Sequence, residues 1–321
     1  MTIFFYGPNR YELLRQLRQM MSAYVAKNGD LGLERLDGST VSLAALSGVL
    51  TAVPFLANSR LVVVENIATN KTVSGKLAEL MAGVPASTVV VFTEREVDQR
   101  TAAFKALKAA DKVVKFEPLA APKLLAWVKA EVARLGGSIE HAVARELVDR
   151  TGDDQWQLEN EINKLVNYQP EVTAETVQLL VAQTVERSVF DLVEAMTAGR
   201  AGVALVAYQA LLEQKETEFY ILTMVQWQLR NLLTLKLAPA ALSPAEVAAA
   251  AGMSAFVAGK AAAAAGRIPE AVLRRAFVAA VDCEFQIKSG RARAEVAVEQ
   301  LIVRVAGRVA GQVSGRATAQ E

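Results

Sequence analysis

Five short segments in the first third of the chain have the composition of strands, and amphipathic stretches separate them. The segments are Thr2–Tyr6, Leu33–Asp37, Leu61–Val64, Val89–Phe92 and Val113–Phe116. Two of them, the third and the fourth, are continuous runs of β-formers, as expected for strands buried on both faces. Between strands, apolar residues such as Leu43, Leu46 and Leu50 recur at helical spacing. This alternation predicts an α/β domain with a mostly parallel five-stranded sheet over residues 1–118.

The rest of the chain has helical periodicity. An apolar stripe runs from Ala121 to Leu135, and the following Gly136 and Gly137 are typical of a helix end. Further helices are predicted around 142–149 and 155–168, and after a capping Thr173, so residues 119–183 form a small helical domain. Longer helices rich in Ala, Leu and Val follow over residues 184–308, and residues 309–321 form a frayed tail. Within the longer set, Ser243 to Glu246 predicts a capping box.

The turn after the first strand resembles a phosphate-binding loop without its binding residues. Gly7, Pro8 and Asn9 connect the strand to an amphipathic helix, which is the layout of a P-loop NTPase. In a working loop the first glycine is followed five, six and seven residues later by Gly, Lys and Ser/Thr. Those positions hold Glu12, Leu13 and Leu14 here. A carboxylate and two leucines cannot hold phosphate or magnesium, so we predict a loop that does not bind nucleotide.

Other catalytic chemistry has little support in the sequence. The strand that ends at Val64 is followed by Glu65 and Asn66, so a single carboxylate stands where an NTPase carries an acidic pair. His141 and Cys283 are the only residues of their types, which excludes an internal disulfide and a cysteine-built zinc module. We therefore predict no catalytic residues, no metal and no cofactor.

Charge and hydropathy bear on the expected cellular location of the chain and on its partners. The 321 residues carry a net charge of +1, so the overall charge does not by itself indicate binding to nucleic acid. None of its apolar runs is long enough to span a bilayer, and its start lacks the basic residues of a signal peptide. The expectation is a cytoplasmic protein with no membrane partner.

Several motifs, taken in order, resemble one protein family over nearly the whole chain. They are the opening Phe4–Gly7, the segment Pro54–Val64, the helical Leu158–Leu165, and the C-terminal segments Val189–Met196 and Asp282–Gly290. Their order and spacing, together with the emptied loop, are similar to those of the delta subunit of bacterial DNA polymerase III.

The resemblance implies an architecture and a function in DNA replication. It implies an AAA+-like α/β domain with a degenerate P-loop, a small helical lid, and a helical collar. Members of that family bind and open the beta sliding clamp so that it can be loaded on primed DNA. They do so within a heteropentamer with tau/gamma and delta prime, whose ATPase subunits hydrolyse the ATP.

The resemblance also implies a clamp contact at the tip of the α/β domain. The matching positions are Phe55 and Leu56, in the reverse of the family's usual order, and Pro54 replaces the common serine. An alternative is that both apolar side chains pack beneath the loop as core.

Two other functions stay open at this stage, as does the role of the basic residues. A divergent AAA+ NTPase could use Glu65 and an atypical loop, and a non-replicative adaptor could use the helical domains. Basic residues on helices could meet DNA phosphates, although a solvated helix face is the commoner explanation; those considered are Arg10, Arg15, Arg18, Lys27, Arg95, Arg100, Lys105 and Lys108.

Overall fold

The structure is a computed structural model that describes residues 1–54, 59–95, 97–251, 253 and 255–317. The chain divides into two compact units, Met1–Leu119 and Ala120–Glu321. The further division of the second unit into a lid and a collar stays a prediction.

The first unit is built on a five-stranded parallel sheet. Its strands are β1 (Thr2–Tyr6), β2 (Leu33–Asp37), β3 (Arg60–Glu65), β4 (Thr88–Glu94) and β5 (Lys112–Lys115). They lie in the order β2-β3-β4-β1-β5, and every neighbouring pair is parallel. In β1, which lies between β4 and β5, Phe4 lies opposite Phe92 of β4 and Val113 of β5. All five strands predicted from the sequence are confirmed.

Helices cover both faces of this sheet, as a parallel sheet requires. They are α1 (Arg10–Asn28), α2 (Leu43–Thr51), α3 (Lys71–Ser74), α4 (Leu77–Ala82) and α5 (Ala102–Lys108), with a 3-10 turn at Ile67–Thr69. Successive side chains of β1 point to opposite faces of the sheet. Phe4 and Tyr6 enter a core with α2, α4 and α5, while Ile3 and Phe5 enter a core on the opposite face with α1.

The second unit begins with four helices and a short parallel ribbon. They are α6 (Ala121–Arg134), β6 (Ser138–Ile139), α7 (His141–Thr151), α8 (Gln155–Tyr168), β7 (Glu171–Val172) and α9 (Ala174–Leu180). The side chains of Thr173 and Thr176 cap α9 reciprocally. The sequence analysis missed the pair β6 and β7, because two residues are too few to show a strand period.

Seven further helices follow among the described residues of the second unit. They are α10 (Val185–Thr197), α11 (Ala201–Glu213), α12 (Glu218–Leu237), α13 (Pro244–Ala250), α14 (Ala255–Arg267), α15 (Glu270–Lys288) and α16 (Ala294–Ala317). Their largest core includes Leu192, Tyr208, Leu229, Leu273 and Ile302. None of the helices in the described part of the chain has the length and apolar character needed to cross a membrane.

Two local predictions meet different outcomes. The capping box is confirmed, since the Ser243 hydroxyl accepts from the Glu246 N–H at 3.3 Å and Glu246 accepts from the Ser243 N–H at 2.8 Å. The predicted tail is helical over residues 309–317, where α16 continues without a proline to stop it. Residues 318–321 lie outside the described part of the chain.

Candidate functional site

The turn between β1 and α1 is held tightly against the end of the neighbouring strand β5. Gly7 adopts a φ of 128°, which L side chains rarely reach. A Cβ at this position would lie 2.3 Å from the carbonyl oxygen of Phe116. The close approach that requires glycine here is therefore made by protein backbone.

The N–H groups of this turn are already used by protein acceptors. The N–H of Gly7 donates to the Glu94 carbonyl (3.2 Å), that of Asn9 to the Phe116 carbonyl (3.0 Å), that of Arg10 to the Pro8 carbonyl (2.9 Å), and that of Glu12 to the Asn9 side-chain oxygen (3.1 Å). Pro8 has no N–H to offer. A phosphate loop depends on backbone N–H groups that point at the ligand, and these four donate to protein atoms instead.

The positions of the missing lysine and hydroxyl belong to the core. Leu13 is 5% exposed and packs in the cluster that contains Ile3 and Phe5, and Leu14 packs against the same cluster. Glu12 precedes them on the first turn of α1. These contacts support the prediction that Gly7, Glu12, Leu13 and Leu14 form a loop that does not bind phosphate.

A small cavity remains beside this turn at the carboxyl edge of the sheet. Its walls come from the turn, from the start of α1 and from the ends of β3 and β4: Gly7, Arg10, Leu13, Leu14, Glu65, Asn66, Thr93, Glu94 and Arg95. The volume of this cavity is about 30 Å³. One or two water molecules fit such a volume.

The carboxylate that remains at the end of β3 is engaged in an ion pair. Arg35 of β2 donates to Glu65 at 2.6 Å. The next residue, Asn66, has a φ of 61° and turns the chain away from the strand. Glu65 thus links the end of β3 to the middle of β2.

A second carboxylate in this cavity was missed by the sequence analysis. Glu94 ends β4 and is only 3% exposed. The N–H of Ala68 donates to its carboxylate at 2.6 Å. Burial raises the pKa of Glu94 from its usual 4.5 to about 7, although hydrogen bonds from the backbone of Ala68 and Ile67 act in the opposite direction. Its place directly after a buried apolar strand, like that of Glu65, was the available signal.

Two family models match the sequence. The model of the DNA polymerase III delta subunit matches residues 4–117, and that of its C-terminal domain matches residues 186–305. Together they span more than two thirds of the chain. The chain belongs to the DNA polymerase III delta subunit family. This membership supports a clamp-loader role in DNA replication and agrees with the resemblance seen in the sequence motifs.

A solved structure agrees in fold with this chain. The DNA clamp loader delta protein of Bacillus subtilis superposes with a TM-score of 0.73 at 21% identity, over 95% of this chain and 95% of that one. The RuvB Holliday junction branch migration motor of Thermotoga maritima gives a TM-score of 0.38 at 11% identity, over 79% and 75% of the two chains. None of the curated proteins compared with the chain matches its sequence. The predicted fold class, an α/β domain with a parallel sheet followed by helical regions, is confirmed.

The clamp contact expected of a delta family member belongs to the segment that precedes β3 in the sequence. Pro54 is half-buried, and the preceding Val53 is 72% exposed. Phe55 and Leu56 lie outside the described residues, so their assignment stays a prediction.

The part of this delta family chain that the structure describes contains no group of three His, Cys, Asp or Glu side chains placed to hold a metal ion. Cys283 is buried in the helical core, and that burial raises the pKa of its thiol.

Proposed function

We propose that this chain is the clamp-opening subunit of a bacterial clamp loader and that it does not hydrolyse ATP. Family membership supports the clamp-loader part of the proposal. The observation that carries the second part is the commitment of the loop N–H groups at Gly7, Asn9 and Glu12 to protein acceptors. An NTPase-like domain whose loop N–H groups already donate to protein atoms is suited to binding and opening a partner protein without hydrolysing nucleotide.

The clamp contact is assigned to Pro54, Phe55 and Leu56. An aromatic and an aliphatic side chain together gain about 3 to 6 kcal/mol when fully buried, before the costs of association are subtracted. Buried anchors of this kind are the usual hot spots of protein interfaces. Pro54 has a fixed φ, which lowers the cost of ordering the segment on binding.

Opening then follows from a difference in affinity. A ring-shaped clamp stays closed because its interface is favourable, so the opener must bind the open form more tightly than the closed form. Only that difference shifts the population towards the open ring. No bond is made or broken by this chain.

The proposal includes partners. We place the chain in a cytoplasmic heteropentamer with tau/gamma and delta prime, whose ATPase subunits supply ATP hydrolysis, and we place primed DNA in the assembled complex. Exposed basic side chains of α1, Arg18 and Lys27 among them, could contribute phosphate contacts there.

The direct test is the variant Phe55→Ser/Leu56→Ser, with binding to the sliding clamp of the same organism measured by surface plasmon resonance. We expect at least a hundredfold loss of affinity with an unchanged melting temperature. A matched control is Leu179→Ser/Val206→Ser, which removes two apolar side chains that are 68% and 70% exposed in the second unit. Unchanged clamp binding in the first variant, or a large fall in its melting temperature, would contradict the assignment.

The two alternatives predict different results. A divergent NTPase binds ATP in a magnesium-dependent way, so equilibrium dialysis of the isolated chain with labelled ATP distinguishes it; we expect no saturable binding at millimolar nucleotide. An adaptor with no part in replication would fail to retain the sliding clamp in a pull-down with the wild-type chain.

A further inference from the structure

Arg60, at the first position of β3, connects the two ends of the segment 53–59. Its backbone belongs to the exit of that segment, and its N–H donates to the Ser87 carbonyl at 2.9 Å. Its guanidinium reaches back to the entry, where Nη1 donates to the carbonyls of Val49 at 2.7 Å and Ala52 at 2.9 Å. A single side chain therefore closes the base of the segment.

At the entry, Arg60 supplies hydrogen bonds to carbonyls at the end of helix α2. Its C-cap residue Ala52 is extended, with φ −63° and ψ 132°, so no left-handed glycine turn covers the last carbonyls. The residues Leu43–Thr51, all of them described, include no basic side chain in the last turn. Arg60 supplies both the hydrogen bonds and the positive charge that a helix C-terminus favours.

Two further contacts hold the guanidinium and the exit in place. Nη2 of Arg60 donates to Glu34 of the adjacent strand β2 at 2.6 Å, and the Arg60 side chain is only 13% exposed. The Tyr24 hydroxyl, at the end of α1, donates to the Ser59 carbonyl at 2.6 Å. Gly32 leaves room for that bond, because a Cβ there would lie 2.1 Å from the Tyr24 hydroxyl oxygen.

We propose that Arg60 and Tyr24 are positioning residues for the clamp contact: they fix the separation and direction of the two ends of the segment that carries Phe55 and Leu56. This inference rests on the proposed function. Because closing a segment costs conformational entropy, ends that are already fixed lower the cost of presenting two apolar anchors to a partner. The planar guanidinium spans two carbonyls and a carboxylate at once, which a lysine cannot do in the same geometry.

The test compares four single variants of the full chain for affinity to the sliding clamp. Arg60→Met is expected to weaken binding about tenfold or more, Arg60→Lys to restore part of the loss, and Tyr24→Phe to weaken binding a few-fold. Arg35→Met is the control: it breaks an arginine–carboxylate pair of the same 2.6 Å length between the same two strands, with a more exposed arginine and with its partner Glu65 at the carboxyl end of β3. It should leave clamp affinity within twofold of wild type.

A double-mutant cycle separates positioning from general stability. In the Phe55→Ser/Leu56→Ser background, Arg60→Met should cause no additional loss, because the anchors it positions are absent. If the Phe55 and Leu56 substitutions themselves leave affinity unchanged, the proposed clamp contact fails. If they abolish binding while Arg60→Met and Tyr24→Phe behave like Arg35→Met, only the positioning role is overturned. Tyr24→Phe keeps the test valid if Arg60→Met does not fold, since it removes a single hydroxyl.

Discussion

Glu94→Gln should make the first unit more stable at neutral pH and remove part of its pH dependence. The Glu94 carboxyl is 3% exposed, and burial raises its pKa from 4.5 to about 7. A raised folded-state pKa means that the folded protein binds the proton more tightly than the unfolded chain does. The stability from this proton is complete below about pH 4.5 and is lost as the pH rises through about 7.

The size of the effect follows from the shift. Each pKa unit corresponds to about 1.4 kcal/mol, so ionising Glu94 in the folded state costs about 3 kcal/mol. Glutamine carries no charge, and its side-chain oxygen can still accept from the Ala68 N–H. Glu94→Gln should therefore equal wild type near pH 4.5 and exceed it by about 2 to 3 kcal/mol at pH 8.

Amide hydrogen exchange of β1 and β4, followed by mass spectrometry, measures this difference in the correct unit. Tryptophan fluorescence would not, because Trp127, Trp156 and Trp227 all lie in the second unit. Glu65→Gln is the control: it removes the other carboxylate of the cavity and keeps Glu94, so the wild-type pH dependence should persist. A stability difference between Glu94→Gln and wild type that stays constant from pH 4.5 to 8 would refute the reasoning.

Three further predictions concern the loop and a helix cap. Gly7→Ala should destabilise the first unit by several kcal/mol, since its Cβ would meet the Phe116 carbonyl at 2.3 Å; wild-type exchange rates in β1 would contradict this. Leu13→Lys, which restores the motif lysine, should lower the melting temperature without creating ATP binding, because Leu13 is core; saturable labelled-ATP binding would overturn it. Ser243→Ala should cost about 1 kcal/mol by loss of the cap to Glu246, seen as faster exchange in α13, with no effect as the opposing result.

The loop between β1 and α1 shows which features of the candidate site can be predicted from the sequence. The identities of Glu12, Leu13 and Leu14 were enough to predict that phosphate has no ligand there. They could not show that Gly7 is pressed against Phe116, because those two residues are far apart in sequence and meet only through the pairing of β1 with β5. The sequence pattern shows that the phosphate-binding residues are missing, and the fold shows that the backbone of Phe116 lies against Gly7.

Carboxylates at strand ends show the same limit. Glu65 could be identified from the sequence because a known motif places an acidic residue at the end of that strand. Glu94 could not be identified in this way, because no known motif includes an acidic residue at its position. Its altered pKa comes from burial among atoms of β4 and the 3-10 turn, which a linear pattern does not contain.

The sequence by itself determined the five strands, most of the helices, the α/β-then-helical fold class and the family, because hydrophobic period and ordered motifs are local properties of the chain. Tertiary structure alone decided the strand order, the use of the loop N–H groups, and the partners of Arg60. Each of these depends on atoms brought together from distant segments, and Arg60 illustrates it best: the sequence shows an arginine before a strand, while the fold makes it the donor that ends α2.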